Sequence, residues 1–262
     1  ELSFRVMPGE TVGLLGGTGA GNSTLINLIP RFFEPTSGEI LIDGVEAEKY
    51  APRALRSKIA IVPQSALMFT GTVRSNLLWG KPDATDEDMR RALDEACALD
   101  FVTQKSHGAD SFDAPVEQGG RNFSGGQRQR LTIARALIRK PRVLILDDSF
   151  SALDYATDLK LRSNIAASDY RPATFIVTQR PASVMNADKI IVLADGRAVG
   201  IGTHSELLVS CEVYGEIYTS LWRRRGFGCR KGGEGKWLRI KSSSHPKRAA
   251  RRCGGCSDTA DR

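Results

Sequence analysis

The amino-acid sequence predicts an α/β fold with a mostly parallel β-sheet, because short apolar runs alternate with longer segments of helical periodicity. The run 143–146 is continuously apolar and ends in two aspartates, which is typical of a strand buried on both faces of a parallel sheet. Apolar residues recur at helical spacing in the flanking segments 124–139 and 155–168. A glycine-rich turn at 16–21 separates another apolar run from a helical segment.

The remaining elements follow from the same two periodicities. Strands are expected at residues 2–7, 12–15, 39–43, 58–62, 174–177, 189–193 and 198–201. Helices are expected at 23–29, as a pair within 86–105, at 203–209 and at 212–222. Asp195 and Gly196, between the last two strands, indicate a hairpin. Antiparallel strands near the beginning indicate an added β layer, and the strand-poor region 70–140 indicates a helical subdomain.

The composition is that of a globular protein, with 41% hydrophobic and 26% charged residues among 262. No run of 18 apolar residues is present in the sequence, which therefore predicts no membrane-spanning helix. The first residue is not Met, and residues 2–7 already have the pattern of a strand. We therefore expect the sequence to begin inside a longer polypeptide.

The net charge of +7 comes from the last 40 residues, which contain 13 Lys and Arg but 3 Asp and Glu. Residues 1–222 carry a small negative charge, so no nucleic-acid binding is expected of them. The composition of 223–262 favours a disordered or artefactual tail over a basic segment for anionic lipid or RNA. Cys253 and Cys256 have the spacing of half a zinc site, but a disordered tail is the simpler interpretation.

One segment has the form of a phosphate-binding loop between a strand and a helix: Gly16, Gly17, Thr18, Gly19, Ala20, Gly21, Asn22, Ser23 and Thr24. Its glycines let backbone N–H groups turn toward a phosphate, and Ser23 would ligate Mg²⁺. Asn22 stands where the motif has a lysine, so a charge-assisted hydrogen bond of about 1.5–3 kcal/mol is weakened or lost. The alternatives are a plain strand–loop–helix turn and a dinucleotide fold, whose glycine spacing this segment does not match.

Two aspartates, Asp147 and Asp148, follow the buried strand 143–146. A carboxylate at the end of such a strand holds Mg²⁺ opposite a phosphate loop, so Asp147 is the candidate metal ligand. Asp148 takes the position of the carboxylate that orients an attacking water. Taken alone, the pair is equally typical of solvated acids at a strand end.

A third motif, Ser124, Gly125, Gly126 and Gln127, directly precedes a predicted helix. Ser124 can cap that helix, and the glycines permit close approach of an anion to its beginning. The motif lies about 20 residues before the acidic strand.

The order of these motifs, with Gln64 after the strand 58–62 and Ser151-Ala-Leu-Asp154 after the acidic strand, carries a family resemblance. Residues 1–222 resemble the nucleotide-binding domain of ABC transporters. The resemblance implies a P-loop NTPase core of RecA-like type that binds ATP and Mg²⁺, with Ser23, Gln64 and Asp147 at the metal. It also implies a dimer in which the signature segment, residues 124–127, reaches the ATP of a second nucleotide-binding domain.

Residues 116–120 and 202–208 resemble the exporter branch of this family. In that branch a transmembrane domain precedes the nucleotide-binding domain in the same polypeptide. The resemblance therefore implies a transmembrane domain upstream of Glu1 and a location at the cytoplasmic face of the cell membrane.

Three residues depart from the family pattern around the γ-phosphate: Asn22, Asp148 and Gln179. Asp148 replaces the catalytic glutamate, and Gln179 replaces the switch histidine; with Gln64 these two are the candidate catalytic residues. Asp148 and Gln179 resemble the degenerate-site subunit of bacterial heterodimeric exporters, whereas Asn22 does not, because degenerate sites usually keep the lysine. The isolated chain is expected to be nearly inactive. The alternatives are a soluble, non-transport ABC ATPase and a non-functional fragment of an exporter.

Overall fold

The computed structural model describes residues 2–106 and 112–224, with side chains as far as Ser220. The strands in this part of the chain are β1 (Thr11–Gly16), β2 (Leu41–Ile42), β3 (Val45–Glu46), β4 (Ile59–Val62), β5 (Gly71–Thr72), β6 (Pro115–Val116), β7 (Val143–Asp147), β8 (Ala173–Thr178), β9 (Lys189–Ala194) and β10 (Arg197–Gly202). The helices are α1 (Asn22–Leu28), α2 (Pro52–Ser57), α3 (Val73–Leu78), α4 (Asp86–Glu95), α5 (Leu99–Lys105), α6 (Gly125–Leu137), α7 (Tyr155–Ala167), α8 (His204–Ser210) and α9 (Glu212–Arg224).

The central sheet has six strands in the order β10-β9-β1-β8-β7-β4. The five strands from β9 to β4 run parallel, and β10 pairs antiparallel with β9 at one edge. Two small antiparallel ribbons, β2 with β3 and β5 with β6, lie outside this sheet. The predicted α/β fold with a mostly parallel sheet and added antiparallel strands is confirmed.

Alternate residues of the central strands face two hydrophobic clusters on opposite sides of the sheet. Leu144 and Leu146 of β7 belong to the cluster that contains buried residues of α3 to α7. Val143 and Ile145 belong to the other cluster, together with Ile26 of α1. Because both faces are covered, β7 is apolar without interruption, as the sequence pattern requires.

Side-chain caps fix where several helices begin. Ser124 accepts a hydrogen bond from the backbone N–H of Gln127, and Gln127 accepts one from the backbone N–H of Ser124. The same reciprocal arrangement joins Thr85 to Asp88 at the beginning of α4. Each such box satisfies N–H groups that have no partner inside the helix, so the beginnings of α4 and α6 are well defined.

The predicted strand at residues 2–7 is wrong. Its side chains alternate between exposed and half-buried, and Leu2, Phe4 and Val6 pack against the cluster of Ile26. No strand pairs with this segment in the described part of the chain, and the Nζ of Lys189 donates to the carbonyl oxygen of Arg5 at 2.7 Å. The alternating burial of residues 2–7 comes from side-chain packing alone. A strand also needs a neighbouring strand with which its backbone N–H and C=O groups can pair.

The predicted strand at 39–43 forms only as the two residues of β2. The predicted hairpin between β9 and β10 is confirmed, and both turn residues have positive φ, 48° at Asp195 and 74° at Gly196. Within 70–140 the structure has the short strands β5 and β6 and the helices α3 to α6. No helix in the described residues is both long and apolar enough to cross a membrane.

The domain boundary at residue 222 stays a prediction. The proposed tail, 223–262, falls almost wholly outside the described residues, as do Cys253 and Cys256 of the half zinc site.

Candidate nucleotide site

Parallel strand order brings four sequence-predicted segments to one edge of the central sheet. Gly16 ends β1, Asp147 ends β7, Gln64 comes two residues after β4, and Gln179 comes directly after β8. The register places Asp147 opposite Val177, so the ends of β7 and β8 are level. Ligands bind beyond the carboxyl ends of strands in open α/β sheets, and the candidate residues gather at that edge.

The phosphate loop, residues 16–24, leaves β1 and enters α1 through two left-handed glycines, Gly19 at φ 83° and Gly21 at φ 103°. A Cβ added at Gly16 would lie 2.8 Å from the Cβ of Ala20, so the beginning of the loop is tightly packed. A Cβ added at Gly17 or Gly19 would meet nothing within 4 Å. The loop therefore has a closed inner end and an open outer side on which a ligand can lie.

Asn22 turns its side chain back into the phosphate loop. Its Nδ2 donates to the carbonyl oxygen of Gly16 at 3.2 Å. Its Oδ1 is buried and has no hydrogen-bond partner among the described residues. The carboxamide of Asn22 thus stabilises the phosphate loop through an internal hydrogen bond, and it brings no positive charge to the open side of the loop.

The β9–β10 turn supports the phosphate loop from a neighbouring strand. The backbone N–H of Gly196 donates to the carbonyl oxygen of Ala20 at 3.1 Å. Beside this contact is an open, largely apolar cavity of about 300 Å³ lined by Leu2, Ala20, Gly21, Thr24, Leu25, Leu28, Leu193, Gly196 and Ala198. The Gly196 contact was not predictable from the sequence, because it joins residues from distant parts of the chain.

The two aspartates after β7 differ in their surroundings. Burial raises the pKa of Asp147, and the neighbouring charge of Asp148 raises it further. Asp148 has a φ of 43°, a left-handed conformation that aspartate tolerates better than most residues, and its N–H donates to the carbonyl oxygen of Val177 at 2.9 Å. Its Oδ2 accepts a hydrogen bond of 3.4 Å from Nε2 of Gln64. The candidate residues Gln64 and Asp148 are therefore in direct contact.

Ser149 is a residue of this site that the sequence analysis missed. Its buried hydroxyl lies 3.0 Å from the carbonyl oxygen of Val62, to which it donates, and so ties the end of β7 to the end of β4. Asp148 and Gln64 are each one or two residues from this bond. Ser149 thereby fixes the distance between the two strand ends that carry them.

The residues proposed to hold Mg²⁺ are Ser23, Gln64 and Asp147, and all three present oxygen atoms, the ligand type that Mg²⁺ prefers. The described residues contain no group of three or more His, Cys, Asp or Glu side chains that could hold a metal on its own. With one carboxylate among its three members, this donor set suits an ion held jointly by protein groups and phosphate oxygens. The half-buried, raised-pKa carboxyl of Asp147 is the group that a cation would stabilise most.

The signature segment, residues 124–127, begins α6. A Cβ added at Gly125 would meet nothing within 4 Å, whereas one added at Gly126 would lie 3.1 Å from the carbonyl oxygen of Ala152. Gly125 therefore presents bare backbone outward, and Gly126 packs inward against the segment after the acidic strand. Ser124 and Gln127 are exposed or half-buried and cap the helix.

The comparison with protein families gives a match to the family described as ABC transporter over residues 1–151. The chain belongs to the ABC transporter family. Among curated relatives, it is 44% identical over 226 residues to the uncharacterized ABC transporter ATP-binding protein YfiB of Bacillus subtilis, which covers 86% of this chain and 39% of that protein. It is 45% identical over 210 residues to the beta-(1-->2)glucan export ATP-binding/permease protein NdvA of Nitrobacter winogradskyi, covering 80% of this chain and 34% of the relative.

Among solved structures, the chain is similar to a bacterial Atm1-family ABC exporter with ATP bound, at a TM-score of 0.76 and 34% identity. The match covers 86% of this chain and 38% of that one. The chain is therefore an ATP-binding domain of the ABC transporter family, and it is similar to the corresponding part of exporters. It spans little more than a third of the length of these relatives.

Proposed function

We propose that this chain is the degenerate ATP-binding domain of a heterodimeric ABC exporter. Its phosphate loop holds ATP and seldom hydrolyses it, and its signature segment completes the ATP site of a second, different nucleotide-binding domain. The observation that carries this proposal is the inward-turned Asn22, whose carboxamide is hydrogen-bonded to Gly16 and leaves the open side of the loop without a lysine.

The proposed roles of residues in the chain's own site follow from their positions at the carboxyl ends of the central strands. The backbone of the phosphate loop surrounds the phosphates of ATP, with Ser23 and Asp147 at Mg²⁺. Asp148 stands where a water would be oriented, and it is one methylene shorter than glutamate. A displacement of about 1 Å costs on the order of 10²-fold in rate, so the short carboxylate favours slow turnover. Gln179 can donate a hydrogen bond to a γ-phosphate but cannot become a cation.

A surface near Gln64 supports the proposal of a transmembrane partner. We define the aromatic patch as Leu67, Phe69 and Trp79, which are exposed although they are large and apolar. Arg135 of α6 lies beneath it, donating to the carbonyl oxygen of Leu67 at 2.8 Å and stacking on the ring of Phe69. The Nη1 of Arg135 is buried without a hydrogen-bond partner among the described residues, so what the patch offers a partner is apolar contact. A transmembrane domain docked here would place the chain at the cytoplasmic face of the cell membrane.

The experiment compares ATP hydrolysis by the chain alone and by the chain combined with a candidate partner subunit. The chain alone is expected to be nearly inactive, and the combination active. In the combination, Gly125→Ala should reduce hydrolysis on the order of 100-fold, because its new methyl group pushes the partner's γ-phosphate away from the signature backbone. Asp148→Asn, in the chain's own site, should change hydrolysis much less, because that site contributes little to the turnover of the combination.

The reverse order of these two effects, or robust hydrolysis by the chain alone, would contradict the degenerate assignment. Because a Cβ at Gly125 has free space around it in the structure, Gly125→Ala is expected to fold normally. Its unfolding temperature, measured beside that of the unmodified chain, serves as the control.

A further inference from the structure

Lys105, the last residue of α5, holds a positive charge close to the beginning of the signature segment. Its Nζ donates to the carbonyl oxygen of Asn122 at 3.0 Å and lies 5.0 Å from the centre of the Phe123 ring. Asn122 and Phe123 are the two residues before Ser124, the cap of α6. Both of these partners are neutral, so neither contact cancels the charge of the ammonium group.

The two groups that hold this ammonium are themselves fixed. The side-chain Oδ1 of Asn122 accepts from the backbone N–H of Glu117 at 3.1 Å, and its Nδ2 donates to the carbonyl oxygen of Pro115 at 2.7 Å. The ring of Phe123 is 2% exposed and packs edge-on against Phe101 of α5. The charge therefore has a defined position relative to the beginning of α6.

A second cation lies at the same place. The Nη1 of Arg128 donates to the carbonyl oxygen of Phe123 at 2.8 Å. The first turn of α6, residues 125–128, contains two glycines, a glutamine and an arginine, whereas the first turn of α4 contains three acids. Cations oppose the positive end of a helix dipole, so this placement is unfavourable for α6 alone and becomes favourable when an anion lies at its beginning.

We infer that Lys105 is a positioning residue of the signature segment, whose charge raises the positive potential at the beginning of α6 and so strengthens its hold on the terminal phosphate of the partner domain's ATP. This inference rests on the proposed function, which places that phosphate at the signature segment. Lys105 is bonded to Asn122, so its charge acts through space on a phosphate that the backbone N–H groups of α6 contact. The simpler role of Lys105, a cation that suits the end of the α5 dipole, would leave the signature segment unaffected.

The first test measures this potential in the full chain without a partner. In Ser124→Cys, the rate at which iodoacetamide alkylates residue 124 reports how far nearby charges favour the thiolate, and peptide mass spectrometry separates it from the native cysteines. Adding Lys105→Gln removes the charge and keeps a side-chain N–H donor, so alkylation at pH 7 should slow roughly threefold. The matched control is Lys140→Gln, which removes a charge beyond the far end of α6 and should not change the rate.

Two further variants separate charge from hydrogen bonding and from folding. Lys105→Met, whose apolar side chain can stay on the ring of Phe123, is a second neutral form and should slow alkylation as much as Lys105→Gln. Lys105→Arg keeps the charge and should restore the rate. Thermal unfolding of each variant reports folding. Equal rates with Lys105→Gln and with the native lysine would overturn the inference, as would slowing by Lys105→Met alone, since the hydrogen bond and not the charge would then act.

The second test measures ATP hydrolysis by the chain combined with its partner subunit. Lys105→Gln should lower kcat/KM about tenfold, because a terminal phosphate carries about two negative charges where the thiolate carries one. Lys105→Arg should restore kcat/KM, and Lys140→Gln should not change it.

Gly125→Ala, made in the same combination, tells the inference and the proposed function apart. Hydrolysis that falls in Gly125→Ala but not in Lys105→Gln would overturn the inference and leave the proposed function standing. If the combination is inactive, or if Gly125→Ala has no effect, the proposed function fails, and the alkylation rates then decide the inference alone. Slower alkylation in both neutral forms of Lys105 upholds it, and unchanged alkylation refutes it.

Discussion

The side-chain Nδ2 of Asn22 lies 3.2 Å from the carbonyl oxygen of Gly16, so the residue at the lysine position of the phosphate loop is bonded to the first residue of that loop. The contact holds the loop in its turned form without any ligand. It also commits the carboxamide of Asn22 to a role inside the loop.

Asn22→Lys should bind ATP more tightly. A cation at this position adds a charge-assisted hydrogen bond to phosphate of about 1.5–3 kcal/mol, which corresponds to roughly 10- to 150-fold in Kd. Titration with a fluorescent ATP analogue measures it. Asn22→Met, with a long uncharged side chain, separates charge from length and should show no gain. The rate of ATP hydrolysis should rise little in Asn22→Lys, since Asp148 and Gln179 are unchanged. Equal affinity for ATP in the unmodified chain, Asn22→Lys and Asn22→Met would refute the argument.

Two neighbouring glycines of the phosphate loop should respond differently to alanine. A Cβ at Gly16 would lie 2.8 Å from Ala20 and 2.9 Å from the carbonyl oxygen of Leu193, whereas a Cβ at Gly17 has free space. Overpacking of this kind costs about 1–3 kcal/mol, or several degrees in unfolding temperature for a domain of this size. Calorimetry should show a lower temperature for Gly16→Ala and no change for Gly17→Ala. An unchanged unfolding temperature in Gly16→Ala would mean that the inner end of the phosphate loop is less tightly packed than the structure shows.

The cap of α4 should make stability depend on pH. Hydrogen bonding to Lys81, and to the backbone N–H of Thr85, lowers the pKa of Asp88 in the folded state. A lowered folded-state pKa stabilises the fold above the unfolded value of about 3.9 and loses that contribution as the pH falls through the folded value. The free energy of unfolding of Asp88→Asn should therefore lie below that of the unmodified chain at pH 6 and converge with it in acid. Lys81→Met should also lower the free energy of unfolding at pH 6, but by less than Asp88→Asn. A difference from the unmodified chain that grows as the pH falls would contradict a lowered pKa for Asp88.

The aromatic patch should matter for assembly and little for folding. Trp79 is 70% exposed, so Trp79→Ser is expected to leave the unfolding temperature nearly unchanged. Loss of a large aromatic side chain from an interface should cost about 2 kcal/mol or more, which is seen as reduced co-purification with the transmembrane domain. Val209→Ser is the matched control, since Val209 is 91% exposed on α8. If Trp79→Ser and Val209→Ser co-purify equally well with the transmembrane domain, the docking surface does not include the aromatic patch.

Motif residues could be placed from the sequence because each motif borders a long, strongly periodic element. Asp147 closes an uninterrupted apolar strand, and Ser124 precedes a long amphipathic helix, so both positions were predictable. The inward turn of Asn22 and the burial of Ser149 and Gln129 were not. Each depends on a hydrogen bond to a backbone carbonyl whose position is set by the folded chain. Gln129 did leave one sign, since it lies four residues before the buried Ile133 on the apolar face of α6.

The order of the central strands has a consequence for synthesis of the chain. β1, which carries the phosphate loop, is bordered by β8 and β9: Thr11 lies opposite Thr174, and Val12 lies opposite Lys189. A growing polypeptide therefore makes the loop some 160 residues before it makes the flanking strands, and closure over such a sequence distance is slow. Until β9 has left the ribosome, the apolar residues of β1 lack one of their two neighbouring strands, and exposed apolar segments of this kind favour aggregation.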